Sequence, residues 1–225
     1  MQDLLKERLI KKLTNIKSFI NRYLPERFYV AGGVFDKNHK DIDIFFLSQE
    51  DFDFVRKKIS KQNNIELLHT RNAITCKYNK EIIQLCAYIK NSLEELINSF
   101  DFAHHQIGCE IKKTENDFKI EKIYYTQNFI KAKTLETTFY TGSDYPLSSL
   151  IRLMRFYKRE NLAGNQYIVE TFKILVDIIE RGFYSYEDFK DQIDAIDLGL
   201  LPEDIKEIKI DCLEKLFLLL IKKGE

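Results

Sequence analysis

The segment Val30-Ala31-Gly32-Gly33-Val34-Phe35-Asp36-Lys37-Asn38-His39-Lys40-Asp41-Ile42-Asp43-Ile44-Phe45-Phe46 decides the reading of this 225-residue chain. It follows directly on Phe28 and Tyr29, and Phe28-Tyr29-Val30-Ala31 predicts a short buried strand from its aromatic and β-branched character. The paired glycines stop that strand; lacking a Cβ, they let the backbone turn sharply and approach a ligand closely. Asp41 to Leu47 predicts a second strand, apolar except for its two acids. Asp41 and Asp43 are two positions apart, so on a strand they point to the same side. Two like charges on an otherwise apolar strand are costly to bury unless a cation neutralises them. Such a pair suits one or two hard cations such as Mg2+, which take oxygen ligands from carboxylates, water and substrate phosphates. The glycine backbone can direct N–H groups at a triphosphate. Together these features predict a metal-dependent nucleotide site, with Asp41 and Asp43 as metal ligands and Gly32 and Gly33 against phosphate.

On the N-terminal side, residues 3 to 23 carry Leu4, Leu5, Leu9, Ile10, Leu13, Ile16, Phe19, Ile20 and Tyr23 at helical spacing, which predicts one amphipathic helix ended by Pro25. On the C-terminal side, Ser48 and Asp51 resemble a helix cap ahead of Phe52, Val55 and Ile59. Ile65 to His69, Ala73 to Tyr78 and Glu81 to Tyr88 predict strands, the last two joined by a tight Asn79-Lys80 turn. Ser92 caps a short helix through Ile97, and Phe102 to Lys112 with Phe118 to Tyr125 predict a hairpin. Beyond Pro146 only helical spacing remains: 147–160, 167–181 closed by Gly182, 186–196, and a fourth helix from Pro202 to about Lys222. The expected fold class is α+β, with a mixed-sheet head over residues 1–140 and an all-α helical bundle over 141–225.

Composition narrows the function classes. The 35 basic and 35 acidic residues cancel. A protein that grips a duplex through many phosphates usually shows a basic excess, so any nucleic-acid contact here must come from a local face. Cys76, Cys86, Cys109 and Cys212 form no C-x-x-C pair and read as buried free thiols in a reducing compartment. The chain opens on a charged helical pattern rather than a signal peptide. Its longest apolar run, Leu216 to Ile221, is far below the ~20 residues that span a bilayer. The expectation is a cytoplasmic protein with no membrane contact. No Walker loop, Rossmann glycine fingerprint, G-x-S-x-G elbow or H-E-x-x-H helix occurs.

On Gly32, Gly33, Asp41 and Asp43 the segment resembles the DNA polymerase β-like nucleotidyltransferase superfamily, which includes tRNA CCA-adding and poly(A) polymerases, antibiotic adenylyltransferases and toxin-type transferases. The resemblance covers the head domain. It implies a nucleotidyltransferase-fold head whose catalytic Asp41 and Asp43 hold two Mg2+ ions. It also implies attack of an acceptor hydroxyl on the α-phosphate of a bound NTP such as ATP, with release of pyrophosphate. The implied acceptors are a tRNA or other RNA 3′ end, a protein hydroxyl or a small molecule.

Several positions depart from the superfamily's pattern. Seven residues separate Gly33 from Asp41, leaving no room for the helix that CCA-adding enzymes carry there, and their arginine-aspartate pair is here Phe35-Asp36. Toxin-type relatives of the abortive-infection group carry a lysine before the glycines, where this chain has Ala31. A neighbouring strand often adds a third carboxylate; in Ile82-Ile83-Gln84-Leu85-Cys86 that position holds neutral Gln84, which leaves Asp101 and Glu110 as substitutes. Lys40, Arg71 and Asn72 are further candidates for nucleotide contact, with Lys37 and His39 beside the glycine turn. Arg152, Arg155, Lys158 and Arg159 give the 147–160 helix a basic face suited to phosphates. His104 and His105, expected on an alternating strand with one ring in and one out, lack the partners of a zinc site. Gln84 and the zero net charge keep a second reading open, a catalytically degenerate relative that binds nucleotide or a partner.

Overall fold

Seven strands build one mixed sheet: β1 Arg27–Ala31, β2 Asp41–Phe45, β3 Glu66–His69, β4 Ala73–Tyr78, β5 Glu81–Cys86, β6 Ile107–Lys113 and β7 Phe118–Tyr125, in the order β3-β4-β5-β2-β1-β6-β7. They come from a computed structural model that describes residues 2–36, 41–62, 65–69, 73–160, 164–194, 215 and 218–221. The chain divides into two compact units, Met1–Glu136 and Thr137–Glu225.

In the first unit β2 and β5 pair in parallel and every other pairing is antiparallel. The period of two along each strand separates two faces. One face presents Phe28, Val30, Ile42, Ile44, Ile74, Cys76, Ile83, Leu85, Cys109 and Ile111 to the main core. Helices α1 Gln2–Asn15, α2 Lys17–Tyr23 and α3 Gln49–Ile59 bring Leu5, Leu9, Leu13, Phe19, Ile20, Phe52, Val55 and Ile59 into that core. The other face is covered by α4 Leu93–Asn98, whose Leu93, Leu96 and Ile97 pack with Tyr29, Ala31 and Phe45. On the same face Thr75, Gln84, Asp41 and Asp43 are only half-buried.

Local sequence signals explain most of these elements. Ser48 Oγ accepts from the Asp51 N–H at 3.1 Å and Ser92 Oγ from the Glu95 N–H at 3.1 Å, so both helices start on side-chain caps. Asn79 and Lys80 take φ of 48° and 70°, the left-handed pair of a two-residue hairpin turn between β4 and β5.

Four expectations are corrected. The single helix over 3–23 breaks at Ile16, which takes φ −110° and ψ 16° and donates its N–H to the Leu13 carbonyl three residues back at 3.1 Å, a turn tighter than the α-helix. Ile16 lies in the core, whereas Leu4 and Ile10 of the expected stripe lie outside it, 53% and 40% exposed. The strands expected to reach Leu47 and Tyr88 stop at Phe45 and Cys86. His104 and His105 lie in a 3-10 turn, Ala103–His105, with ring centroids 3.8 Å apart, rather than on a strand. That turn is held by Gln106, whose Nε2 donates to the Phe100 carbonyl at 2.9 Å while its Oε1 accepts from Thr126 Oγ1 at 2.8 Å. Finally, α5 Gln127–Thr134 has no counterpart in the expected elements; Thr126 Oγ1 caps it through the Phe129 N–H at 3.1 Å, and Phe129 and Ala132 are its buried residues.

The second unit contains α6 Pro146–Glu160, α7 Gly164–Arg181 and α8 Tyr186–Asp194. Gly182, at φ 58°, closes α7 by donating to the Ile178 carbonyl at 3.0 Å. Segment 137–140 is tied along α7. Gln166 Nε2 donates to the Thr138 carbonyl at 2.5 Å, buried Glu170 accepts the Tyr140 N–H at 2.7 Å, and Tyr140 Oη donates to Asp177. The helix expected over 202–222 lies mostly outside the described residues, as do 195 and 196. No helix among the described residues is long and apolar enough to cross a membrane.

Two substitutions probe this framework. A Cβ on Gly108 would stand 2.6 Å from Ile97 Cδ1 and 3.0 Å from the Ala31 Cβ, so Gly108→Ala is expected to lower stability by about 1–3 kcal/mol in urea titration. Lys80→Gly relieves a left-handed residue at the hairpin and is expected to raise stability by roughly 1 kcal/mol in the same measurement.

Candidate active site

The site is built from one row of residues in register across five strands. Thr75 pairs with Gln84, Gln84 with Asp43, Asp43 with Ala31, and Ala31 with Gly108. Register partners point to the same side of a sheet, so Gln84 lies directly beside Asp43. Two residues back along β2, Asp41 pairs with Ile82, about 7 Å from Asp43 along the strand. The small side of the row, Ala31 and Gly108, lets α4 rest directly on the sheet. The polar side keeps both acids half-buried.

The glycine turn meets this row. Gly32 takes φ +74°, which favours glycine, and a Cβ there would stand 3.6 Å from Asp43 Oδ2 and 3.6 Å from Phe100 Cε2. Gly32 and Gly33 open a buried 3-10 turn, Gly32–Phe35, which Asp36 ends by donating its N–H to the Gly33 carbonyl at 2.8 Å. Asp36 Oδ2 lies 3.5 Å from Lys133 Nζ on α5. The structure thus brings Gly32 and Asp43 together.

Burial and the neighbouring Asp41 charge push the Asp43 carboxyl up to about 7, against a smaller pull from Lys12. Burial in turn lowers the Lys12 ammonium, and the charges of Glu81, Asp36, Asp41 and Asp43 oppose that lowering. Burial and the Asp43 charge raise the Cys86 thiol; Cys76 and Cys109 are free, buried thiols, also raised by burial. Lys12 was missed in the sequence, where it reads as the solvent side of an amphipathic helix; only the packing of α1 against the glycine turn brings it here.

The donor set fits a divalent cation. Two hard carboxylates share one side of β2, and their repulsion favours a bound positive charge. No third acid joins them, since no group of three or more His, Cys, Asp or Glu suited to a metal occurs among the described residues. Glu110 belongs to another row, paired with Tyr29, and its carboxylate forms an ion pair with Arg27. Asp101 is 4% exposed and lies between α4 and the 3-10 turn of His104. Lys37, His39, Lys40, Arg71 and Asn72 lie outside the described residues. In the second unit, Arg152 Nη2 donates to Ser148 Oγ at 3.0 Å, whereas the side chains of Arg155, Lys158 and Arg159 lie outside the described set.

The Asp43 shift has a defined sign. An acid whose pKa is higher in the folded than in the unfolded chain holds its proton more tightly when folded. Its stabilisation is therefore present at low pH and lost as pH rises from 3.8 towards about 7. In chelating buffer, the thermal midpoint of the wild type is expected to fall across that window relative to Asp43→Asn. Mg2+ is expected to recover the wild type and not the variant, read by calorimetry.

Comparison with known proteins agrees with this framework. A CCA-adding enzyme in complex with ATP matches with a TM-score of 0.51 at 14% identity, covering 95% of this chain and 52% of that one. Its complex with CTP gives 0.49, 14%, 97% and 55% in the same order. The Thermotoga maritima CCA-adding enzyme complexed with tRNA gives 0.48, 14%, 96% and 53%. The chain thus spans about half the length of these enzymes. At such identity the likeness establishes a fold, and the fold is nucleotidyltransferase-like. No curated protein matches the chain. Residues 6–134 match the Gabija anti-defense 2 family, a span that includes every strand of the sheet and more than half of the chain. On that match the chain, with its nucleotidyltransferase-like sheet, belongs to the Gabija anti-defense 2 family.

Proposed function

We propose that the chain is a Mg2+-dependent nucleotidyltransferase that moves a nucleoside monophosphate from an NTP to an acceptor hydroxyl, in the service of counter-defence against Gabija. The observation that carries this reading is the Asp41–Asp43 pair on β2 with Gly32 against the Asp43 carboxylate. In it, Asp41 and Asp43 hold two Mg2+ ions, which when bound supply positive charge for the entering and leaving oxygens. The bare backbone of Gly32 and Gly33 accommodates the triphosphate. The acceptor oxygen bonds to the α-phosphorus as the bond to the bridging oxygen breaks; pyrophosphate leaves, and the hydroxyl proton passes to solvent. Lys40, Arg71, Asn72, Arg152 and Arg155 are the proposed further contacts to nucleotide phosphates.

ATP is the first donor to try, being the ligand of the CCA-adding enzyme complex that shares the fold. The acceptor is an RNA such as tRNA, a small molecule or a protein hydroxyl, and the family's anti-defense name favours a component of Gabija, encountered in the cytoplasm. The second unit's helices, in this reading a helical bundle, select that acceptor.

One observation favours a second reading. Gln84 occupies the position in register with Asp43, where a third carboxylate would be expected to prepare the acceptor, so the fold would bind nucleotide or a Gabija component without transfer. Incubation with α-phosphate-labelled NTPs, Mg2+ and extract from cells carrying Gabija separates the two. Transfer of label is expected, falling at least on the order of a hundredfold in Asp41→Ala and Asp43→Ala. Nucleotide binding without label transfer from any NTP would leave the binding reading standing.

A further inference from the structure

In the run Phe100-Asp101-Phe102, Asp101 is 4% and Phe102 0% exposed, whereas Phe100 is only half-buried. The Phe100 ring is nonetheless held in place. It packs against the cluster that α4 forms with Tyr29, Ala31 and Phe45, its centroid 5.7 Å from that of Phe45. Its backbone is fixed by buried Gln106, whose Nε2 donates to the Phe100 carbonyl at 2.9 Å while its Oε1 accepts from Thr126 Oγ1. The ring reaches the glycine turn. A Cβ on Gly32 would stand 3.6 Å from Phe100 Cε2 and 3.6 Å from Asp43 Oδ2, so ring and carboxylate are separated by no more than twice that distance. The bare Cα of Gly32 is thus bordered by an acid and by an aromatic ring.

We propose that Phe100 is a positioning residue for the nucleotide, its ring packing against the nucleoside part while Asp43 serves the phosphates. The inference rests on the nucleotide-binding reading of the acid pair and the glycine turn. Its basis is chemical connectivity. A phosphate at Asp43 carries its sugar one ester bond away, so the nucleoside must lie close to whatever borders that carboxylate. A half-buried phenyl ring offers the apolar surface on which a sugar or a base packs, and covering it removes that surface from water. The ring is already fixed by Phe45 and, through the backbone, by Gln106, so it loses little freedom when a ligand meets it. It has no hydrogen-bonding atom. Phe100 therefore places a nucleoside without choosing among bases, as aromatic contacts to nucleotides commonly do.

The test uses the full chain with Mg2+ and two probes, ATP and inorganic tripolyphosphate, which shares the phosphates and lacks the nucleoside. Binding is followed by titration calorimetry with no acceptor present. Phe100→Leu is expected to bind ATP about tenfold more weakly than wild type and to bind tripolyphosphate as wild type does. Phe100→Tyr, which keeps the ring, is expected to match wild type with both probes. In proton NMR spectra, ribose and base protons of ATP are expected to move upfield on binding to wild type, under the ring current. That shift is retained in Phe100→Tyr and lost in Phe100→Leu. Should Phe100→Leu fail to fold, the wild-type spectrum decides, and bound ATP without an upfield shift overturns the proposal. Equal losses for ATP and tripolyphosphate in Phe100→Leu reveal a merely structural ring and overturn it too, as does unchanged ATP binding. A wild type that binds neither probe overturns the nucleotide-binding reading itself.

Discussion

Repulsion between Asp41 and Asp43 is the constraint around which the first unit is organised. The two acids cannot be relaxed by shifting β2, because Ile42 and Ile44 between and after them are fully buried in the main core. A slip of one residue would exchange the two sets and drive both carboxylates into an apolar interior. Hydrophobic packing on one face therefore dictates electrostatics on the other. The strain is met by partial exposure, by a raised affinity of Asp43 for a proton, and by an ammonium group from α1.

Gln84 takes on meaning in that light. It stands in register with Asp43 and shares its face. A carboxylate there would add a third negative charge beside Asp43, which burial first and the Asp41 charge second already lift towards neutrality. The amide keeps the hydrogen-bonding capacity of the position and removes the charge. Glu110, the other acid on this face of the central strands, is neutralised locally by Arg27.

Much of this was legible in the sequence because it follows from short-range rules. The alternation in Asp41-Ile42-Asp43-Ile44, the glycine pair, the Ser48 and Ser92 caps and the Asn79-Lys80 turn each depend on a few adjacent residues. What escaped depends on partners far along the chain. The 3-10 turn at His104 follows from Gln106 bridging Phe100 and Thr126. Lys12 comes near the acids through α1, which packs against the glycine turn and is tied by Asn15 to Glu81, 66 positions away. Helix α5 was within reach, since Thr126 precedes Phe129, Ile130 and Ala132 at capping and helical spacing.

The parallel pairing of β2 with β5 has a kinetic consequence. Asp43 meets Gln84 only after the chain has left β2, formed α3, folded the β3–β4 hairpin and returned. Ala31 meets Gly108 later still in sequence, after α4 has been laid down. The row that makes the site is therefore assembled from long-range pairings, whose loop-closure entropy must be met before their contacts reward it. A partly folded chain has its caps and its hairpin but no site. Any ligand that recognises only the completed row would therefore stabilise the folded sheet over every partly folded form.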